Sequence, residues 1–316
     1  SACGDADRSA CGDTVRYGRE IERAFMTRIA ITAASGQLGS EIAKATIDVV
    51  GKDAVIALAR TPANAESLGV EVRPGDYNSP SQLETSLHGI DALLLVSGMD
   101  APEKRIVQHR SVIDSARNAG VQKIVYTSVQ GAETGTAFSP IIESNRQTEQ
   151  DVRDSGLQWV IGRNGIYIEP DIEYVETYRQ QGEIANCAGD GRCGYTTRPE
   201  LGYAYARMLT EPKHNGETYN LHGETITQEQ LAEYLNEAYG TDLRYRDMSV
   251  AEYREERIAA LGEFIGSVIA GIYEGIRNGV ANNISHFANA AGRDHQSWED
   301  YFAQLKTNAQ LKTNAE

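Results

Sequence analysis

The chain has 316 residues, enough for one α/β domain with a smaller lobe, and its 41% hydrophobic and 24% charged content is ordinary for a globular protein. With 45 acidic against 30 basic side chains the net charge is -15, which repels a phosphate backbone and argues against nucleic acid as a partner. No uninterrupted apolar run approaches the roughly 18 residues needed to cross a bilayer, so no membrane association is expected and a cytoplasmic location is.

The ends are unlike the middle. "SACGD" occurs twice before residue 14, and "QLKTNAQLKTNA" doubles six residues near the carboxyl end. Both duplications are too short and too terminal for a solenoid. Residues 1–25 are therefore set aside as an amino-terminal extension, expected to be disordered, and 306–316 as a tail. Met26 is a natural starting point for the fold.

The first strand candidate, "RIAIT", runs into "AASGQLGSEIAKA", a small-residue turn entering an amphipathic helix. This is a strand–turn–helix with the glycine spacing of a dinucleotide fingerprint, except that Ala33 stands where the first glycine would be. Gly36 lets the backbone approach a pyrophosphate, and Gly39 lets the helix pack near the strand. Ala33 is tolerable at negative φ and costly at positive φ.

The second strand, "AVIAL", ends at Arg60 rather than at the acid that would hold a ribose 2′-hydroxyl; the next acid is Glu66. An arginine there suits a 2′-phosphate, so NADP(H) is the preferred cofactor, with NAD(H) an open alternative. "VEVRP" is followed by "GDYN", which places Asp76 and Tyr77 at a strand end, beside an adenine or in a simple turn. "DALLLVS" and "KIVYTS" supply strands four and five, "LQWVIG" strand six, and the helices "SPSQLETSLHG" and "APEKRIVQHRSVIDSARNAG" lie between. Near-continuous apolar strands alternating with helices argue a doubly wound parallel sheet, a Rossmann-type fold, over residues 26–165, with later contributions from about 196–222. Residues 166–305 form mainly a smaller α/β substrate lobe, where Phe264, Ile265, Ile269 and Tyr273 recur at helical spacing and 247–262 form a candidate cover.

Cys3, Cys11, Cys187 and Cys193 make no C-x-x-C pair, and the six histidines are scattered. No metal site is expected.

The succession "IAITAASGQLG", "ALARTPANA", "VEVRPGDYN", "LLLVSG", "QHRSVIDSARNAGVQKIVYTS", "RNGIY", "AGDGR", "TTRPELGYA" and "ETYNLHG" resembles the NmrA-like, atypical branch of the short-chain dehydrogenase superfamily. It is most similar to the NADPH-dependent quinone oxidoreductase and triphenylmethane reductase group, over about residues 26–305. The resemblance implies a cofactor set of Ser35, Gly36, Gln37 and Leu38 at the pyrophosphate and Arg60 at the 2′-phosphate. Asp76 and Tyr77 would flank adenine, Ser97 and Gly98 the ribose, and Thr127, Ser128, Asn164 and Tyr167 the nicotinamide side. Asn64 stands where the family often has Lys, and Asn145 where it commonly has Lys or His.

A Tyr-x-x-x-Lys pair lets a phenol exchange a proton near neutrality, and "SPIIESNRQTEQDV" contains neither residue. Tyr126 and Asn145 are the catalytic candidates, Asn145 positioning rather than titrating. Hydride acceptors that need no protein acid, quinones and conjugated aromatic electrophiles, fit such a site better than simple ketones. Two alternatives stay open: an NADP(H)-binding redox sensor without turnover, and a biosynthetic ketoreductase or epimerase-like enzyme. A monomer or a homodimer is expected.

Overall fold

The computed structural model describes residues 27–313; the amino-terminal extension and Met26 lie outside them. Strands β1 (Ile29–Ile31), β2 (Val55–Ala59), β3 (Glu71–Pro74), β4 (Ala92–Val96), β5 (Lys123–Val129) and β6 (Gln158–Asn164) follow the expected runs. The sequence then supplies β7 (Ile166–Tyr167), β8 (Glu183–Asn186), β9 (Cys193–Thr196), β10 (Thr218–Leu221), β11 (Thr225–Ile226) and β12 (Arg244–Asp247). The central sheet has seven strands in the order β10-β6-β5-β4-β1-β2-β3, all parallel, with Ile29 opposite Val55 on one side and Ala92 on the other.

β1, β2 and β4 are wholly buried because helices cover both faces, as their unbroken apolar runs require. On one face the helices Gln37–Val50 and Arg198–Thr210 pack together through Ile42, Ala43, Leu201 and Tyr205. On the other, Pro80–Ser86, Pro102–Asn118 and Ser139–Arg153 cover Leu93, Leu95, Ile124 and Tyr126. Chain order reverses between β1 and β4, and the crevice at that reversal is where such sheets take a ligand.

The lobe is built on two small sheets, β11-β9-β7 and β12-β8, around Ile168, Tyr195, Leu231, Leu235 and Trp298. After the lobe's first strands the chain returns to the central sheet through the helix Arg198–Thr210 and β10. Residues 250–261 form a helix packed on Glu263–Arg277, so the candidate cover is regular structure. Phe264 and Ile265 face outward at 55% and 53% exposure, whereas Ile269 and Tyr273 pack into the lobe. Gly271 of that helix lies so close to the backbone of Ala137 and Phe138 that a Cβ would collide with it, and Asn283 donates to Gln130 Oε1 at 2.9 Å; both contacts join lobe to sheet domain. The final helix spans Trp298–Thr313, so most of the segment expected as a tail continues a helix.

Candidate cofactor and active site

The turn after β1 exposes Ser35, Gly36 and Gln37, while Leu38 is half-buried. Gly36 caps the helix Gln37–Val50 without any side-chain bond, and no acidic side chain occupies its first turn. The first-turn N–H groups are thus free to meet an anion, with the helix dipole in the same sense. Ala33 takes φ +49, the left-handed conformation in which its methyl is strained. The reason lies at Gly39, where a Cβ would run into the Ala33 carbonyl; turn and helix are pressed together.

Arg60 follows β2 directly, is exposed, and makes no ion pair among the described residues. Asn64 sits in the short 3₁₀ segment beyond it, also exposed. Asp76 closes a turn, its Oδ1 accepting from Asn78 N and Nδ2, both at 3.0 Å. Tyr77 sends its hydroxyl inward to the strand reversal. There it donates to Val96 O at 2.8 Å and accepts from Thr32 Oγ1 at 2.6 Å, while Val96 N donates to Thr32 Oγ1 at 2.9 Å. Each hydroxyl has one proton and each finds one acceptor, so the carboxyl ends of β1 and β4 are fastened together at the crevice. Burial pushes the Tyr77 phenol well above its usual range and keeps it neutral.

Ser97, Tyr126 and Asn145 meet beside it. Asn145 Oδ1 lies 2.6 Å from the Tyr126 hydroxyl and 2.9 Å from Ser97 Oγ, and those two hydroxyls are 2.9 Å apart. Asn145 Nδ2 donates to Ile141 O at 2.8 Å, which fixes the amide orientation. Three oxygens in mutual contact therefore share two protons, and one edge of the triangle has none. Tyr126 and Ser97 both donate to Asn145 Oδ1, so the edge without a proton is the one between the two hydroxyls. Tyr126 is fully buried, and burial pushes its phenol up to about 12, so it is a neutral donor. Thr127 Oγ1 accepts from Ser97 N at 2.9 Å and holds the same loop.

Behind Gly98 stands His109, a residue that nothing in the sequence pattern singles out. Gly98 N donates to its Nε2 at 2.9 Å, so that nitrogen carries no proton. Its Nδ1–H then donates to Thr148 Oγ1 at 2.9 Å, and Thr148 passes its own proton to Ser144 O at 3.0 Å. Burial, helped by the Arg105 charge, pushes His109 down to about 3. It is a fixed neutral acceptor that shapes the loop Ser97–Gly98.

Glu149 is a second residue found only in three dimensions. It is fully buried, accepts from Ser128 Oγ at 2.7 Å, and pairs with Arg146 at 2.7 Å, Arg163 at 2.6 Å and Arg153 at 3.2 Å. Burial acts to raise its pKa, but Arg163, Arg146 and Ser128 outweigh it and hold the carboxyl below its usual value. Glu149 lies one helical turn beyond Asn145, the spacing at which a signal could have been read. Asn164 is buried, accepts from Tyr205 at 2.7 Å and donates to Tyr167 at 3.3 Å, with the Arg198 guanidinium 5.1 Å from the Tyr167 ring centre. Among the described residues no cluster suited to a metal occurs. No helix among them is long and apolar enough to cross a membrane.

Residues 33–212 match the NAD(P)H-binding family model. Quinone oxidoreductase 2 of Escherichia coli (strain K12) is 35% identical over 231 residues, covering 71% of this chain and 79% of that protein. The NmrA-like family domain-containing oxidoreductase flvB of Aspergillus flavus is 31% identical over 234 residues, covering 72% and 76% respectively. Among solved structures, the NADPH-dependent quinone oxidoreductase of Escherichia coli complexed with NADPH superposes with a TM-score of 0.81 at 30% identity, covering 88% of this chain and 99% of that one. The triphenylmethane reductase of Citrobacter sp. complexed with NADP(H) gives the same TM-score, 0.81, at 32% identity with 88% and 99% covered. The match to the binding-domain model, the parallel seven-stranded sheet and these relatives agree: the chain belongs to the NAD(P)H-binding, NmrA-like family and is an NAD(P)H-dependent oxidoreductase.

Proposed function

We propose that the protein is an NADPH-dependent reductase of a quinone-like or otherwise conjugated aromatic electrophile, working without a Tyr-x-x-x-Lys pair. The observation that carries this reading is the triangle Ser97–Tyr126–Asn145, which orients groups but holds none that titrates near neutrality. Relatives named quinone oxidoreductase and triphenylmethane reductase support the substrate class.

The residues at the crevice fit the cofactor. Uncapped N–H groups after Gly36, with Ser35, Gln37 and Leu38 around them, receive the pyrophosphate. Exposed Arg60 meets the 2′-phosphate, and the Asp76–Tyr77 turn supports the adenine. Ser97 and Gly98 hold the ribose, with Thr127, Ser128, Asn164 and Tyr167 toward the nicotinamide. When bound, NADPH supplies a hydride from its nicotinamide ring. The chain's part is to fix geometry: His109 and Thr127 anchor the Ser97–Gly98 loop, and Tyr126 and Asn145 hold the Ser97 hydroxyl. With Tyr126 and His109 both locked neutral, the proton that completes a reduced quinone comes from water.

Arg60→Ala tests the cofactor assignment. A charge-assisted bond to phosphate is worth about 1.5–3 kcal/mol, so NADPH binding should weaken by roughly tenfold to a hundredfold while NADH binding hardly changes. Fluorescence titration of both nucleotides is the measurement; equal losses would remove Arg60 from the assignment.

A further inference from the structure

Resting on that reading, we propose that Arg105 sets the charge class of the electrophile: its unpaired guanidinium beside the crevice favours a neutral quinone that becomes an anion on reduction, and opposes a cationic conjugated dye.

Arg105 lies in the first turn of the helix Pro102–Asn118, directly after the Ser97–Gly98 loop. Its neighbours on that helix are neutralised, Lys104 by Asp100 at 3.1 Å and Arg110 by Asp151 at 2.7 Å. Arg105 forms no ion pair or side-chain hydrogen bond among the described residues, and its buried Nε has no partner. At 6% exposure it is buried along most of its length. Its Cγ is 4.0 Å from where a Cβ on Gly98 would lie, and its charge reaches both Tyr126 and His109. Burial without a partner lowers its own pKa, the mark of a cation that the folded chain leaves uncompensated. Arg105 thus sets a buried cation with an unpartnered Nε against the Ser97–Gly98 loop, whose Ser97 belongs to the triangle with Tyr126 and Asn145.

The balance of the reaction says what that charge prefers. NADPH gives up one hydride and becomes NADP⁺; a neutral quinone takes the hydride and both its electrons, one oxygen becoming O–H and the other O⁻. A proton from water then completes the hydroquinone. Negative charge develops in the transition state, and a preorganised cation lowers that barrier more than it helps the neutral ground state. A cationic dye arrives with charge of the wrong sign and leaves neutral, so Arg105 weakens its binding.

The test compares the unchanged protein with Arg105→Gln and Arg105→Lys, using p-benzoquinone and a cationic triphenylmethane dye as acceptors. For the quinone, Arg105→Gln should lose about a hundredfold, carried by kcat rather than KM, and Arg105→Lys should recover a large part of it. For the dye, Arg105→Gln should lower KM about tenfold. A readout without turnover is the ionisation of bound 4-nitrophenol, followed by its phenolate absorbance: Arg105 should shift that equilibrium toward phenolate, and Arg105→Gln should abolish the shift. If Arg105→Gln keeps its quinone kcat and its nitrophenol ionisation, the proposal is overturned; should Arg105→Gln fail to fold, an Arg105→Lys protein without phenolate enrichment overturns it equally. If neither acceptor oxidises NADPH in the unchanged protein, the reductase reading fails instead, and with it the role proposed for Arg105.

Discussion

Replacing His109 by Gln should make the folded chain less sensitive to acid. The ring accepts a hydrogen bond from Gly98 N and sits fully buried, with its pKa pushed down to about 3, whereas in the unfolded chain it titrates near 6.5. Between those two values the unfolded state holds a proton that the native state refuses. The contribution is therefore fully present above pH 6.5 and is lost as pH falls toward 3. Integrating the proton difference from pH 7 to pH 5 gives about 2 kcal/mol. Asp171 acts in the opposite direction, because burial raises it to about 6 and protonation then favours the fold, but it is present in both chains and cancels in their difference. Urea unfolding of both proteins at the two pH values, followed by circular dichroism, is the assay. The stability of the unchanged protein minus that of His109→Gln should fall by about 2 kcal/mol on going to pH 5. A difference that stays constant would refute a buried neutral His109 and the tautomer argument with it.

Three further outcomes are expected. Ala33→Gly should relieve a left-handed conformation costing roughly 1–2 kcal/mol at the expense of about 0.4–1 kcal/mol of added chain freedom, so denaturant titration should find the variant up to about 1.6 kcal/mol more stable. Glu149→Gln should destabilise by about 3 kcal/mol, seen as a lower Tm, because Arg146 and Arg163 lose the carboxylate that neutralises them; an unchanged Tm would show the cluster to be unimportant. Tyr126→Phe should cost less than about tenfold in kcat/KM for a quinone, because a phenol at about 12 is no proton carrier at neutrality, and a loss above about a hundredfold would restore it as a general acid.

The large domain was legible because each of its central strands is apolar on both faces, a pattern that survives without knowledge of the tertiary structure. β7 and β11, at two residues each, carry too little pattern to read and exist because β9 lies beside them. The tight turn after β1 was readable from Gly36 and Gly39, but the positive φ of Ala33 was not, since it follows from how closely the helix approaches. Tyr77 was placed at the right strand end while the inward path of its hydroxyl was hidden, being fixed by Thr32 across the strand reversal. His109, Arg105 and Glu149 escaped for a shared reason. A buried charge or imidazole looks like a solvated helix face in sequence, and only its partners, or their absence, tell the two apart.

The seventh strand has a consequence for synthesis on the ribosome. β10 covers the open edge of β6, and the helix Arg198–Thr210 covers the same domain's first helix, yet both are made after β8 and β9 of the lobe. A nascent chain that has emerged only through Tyr167 holds six strands with β6 unpaired on one side, an edge able to recruit other chains. The cofactor domain therefore cannot be finished before part of the lobe has been made, and it closes only once Leu221 is free to pair with Asn164.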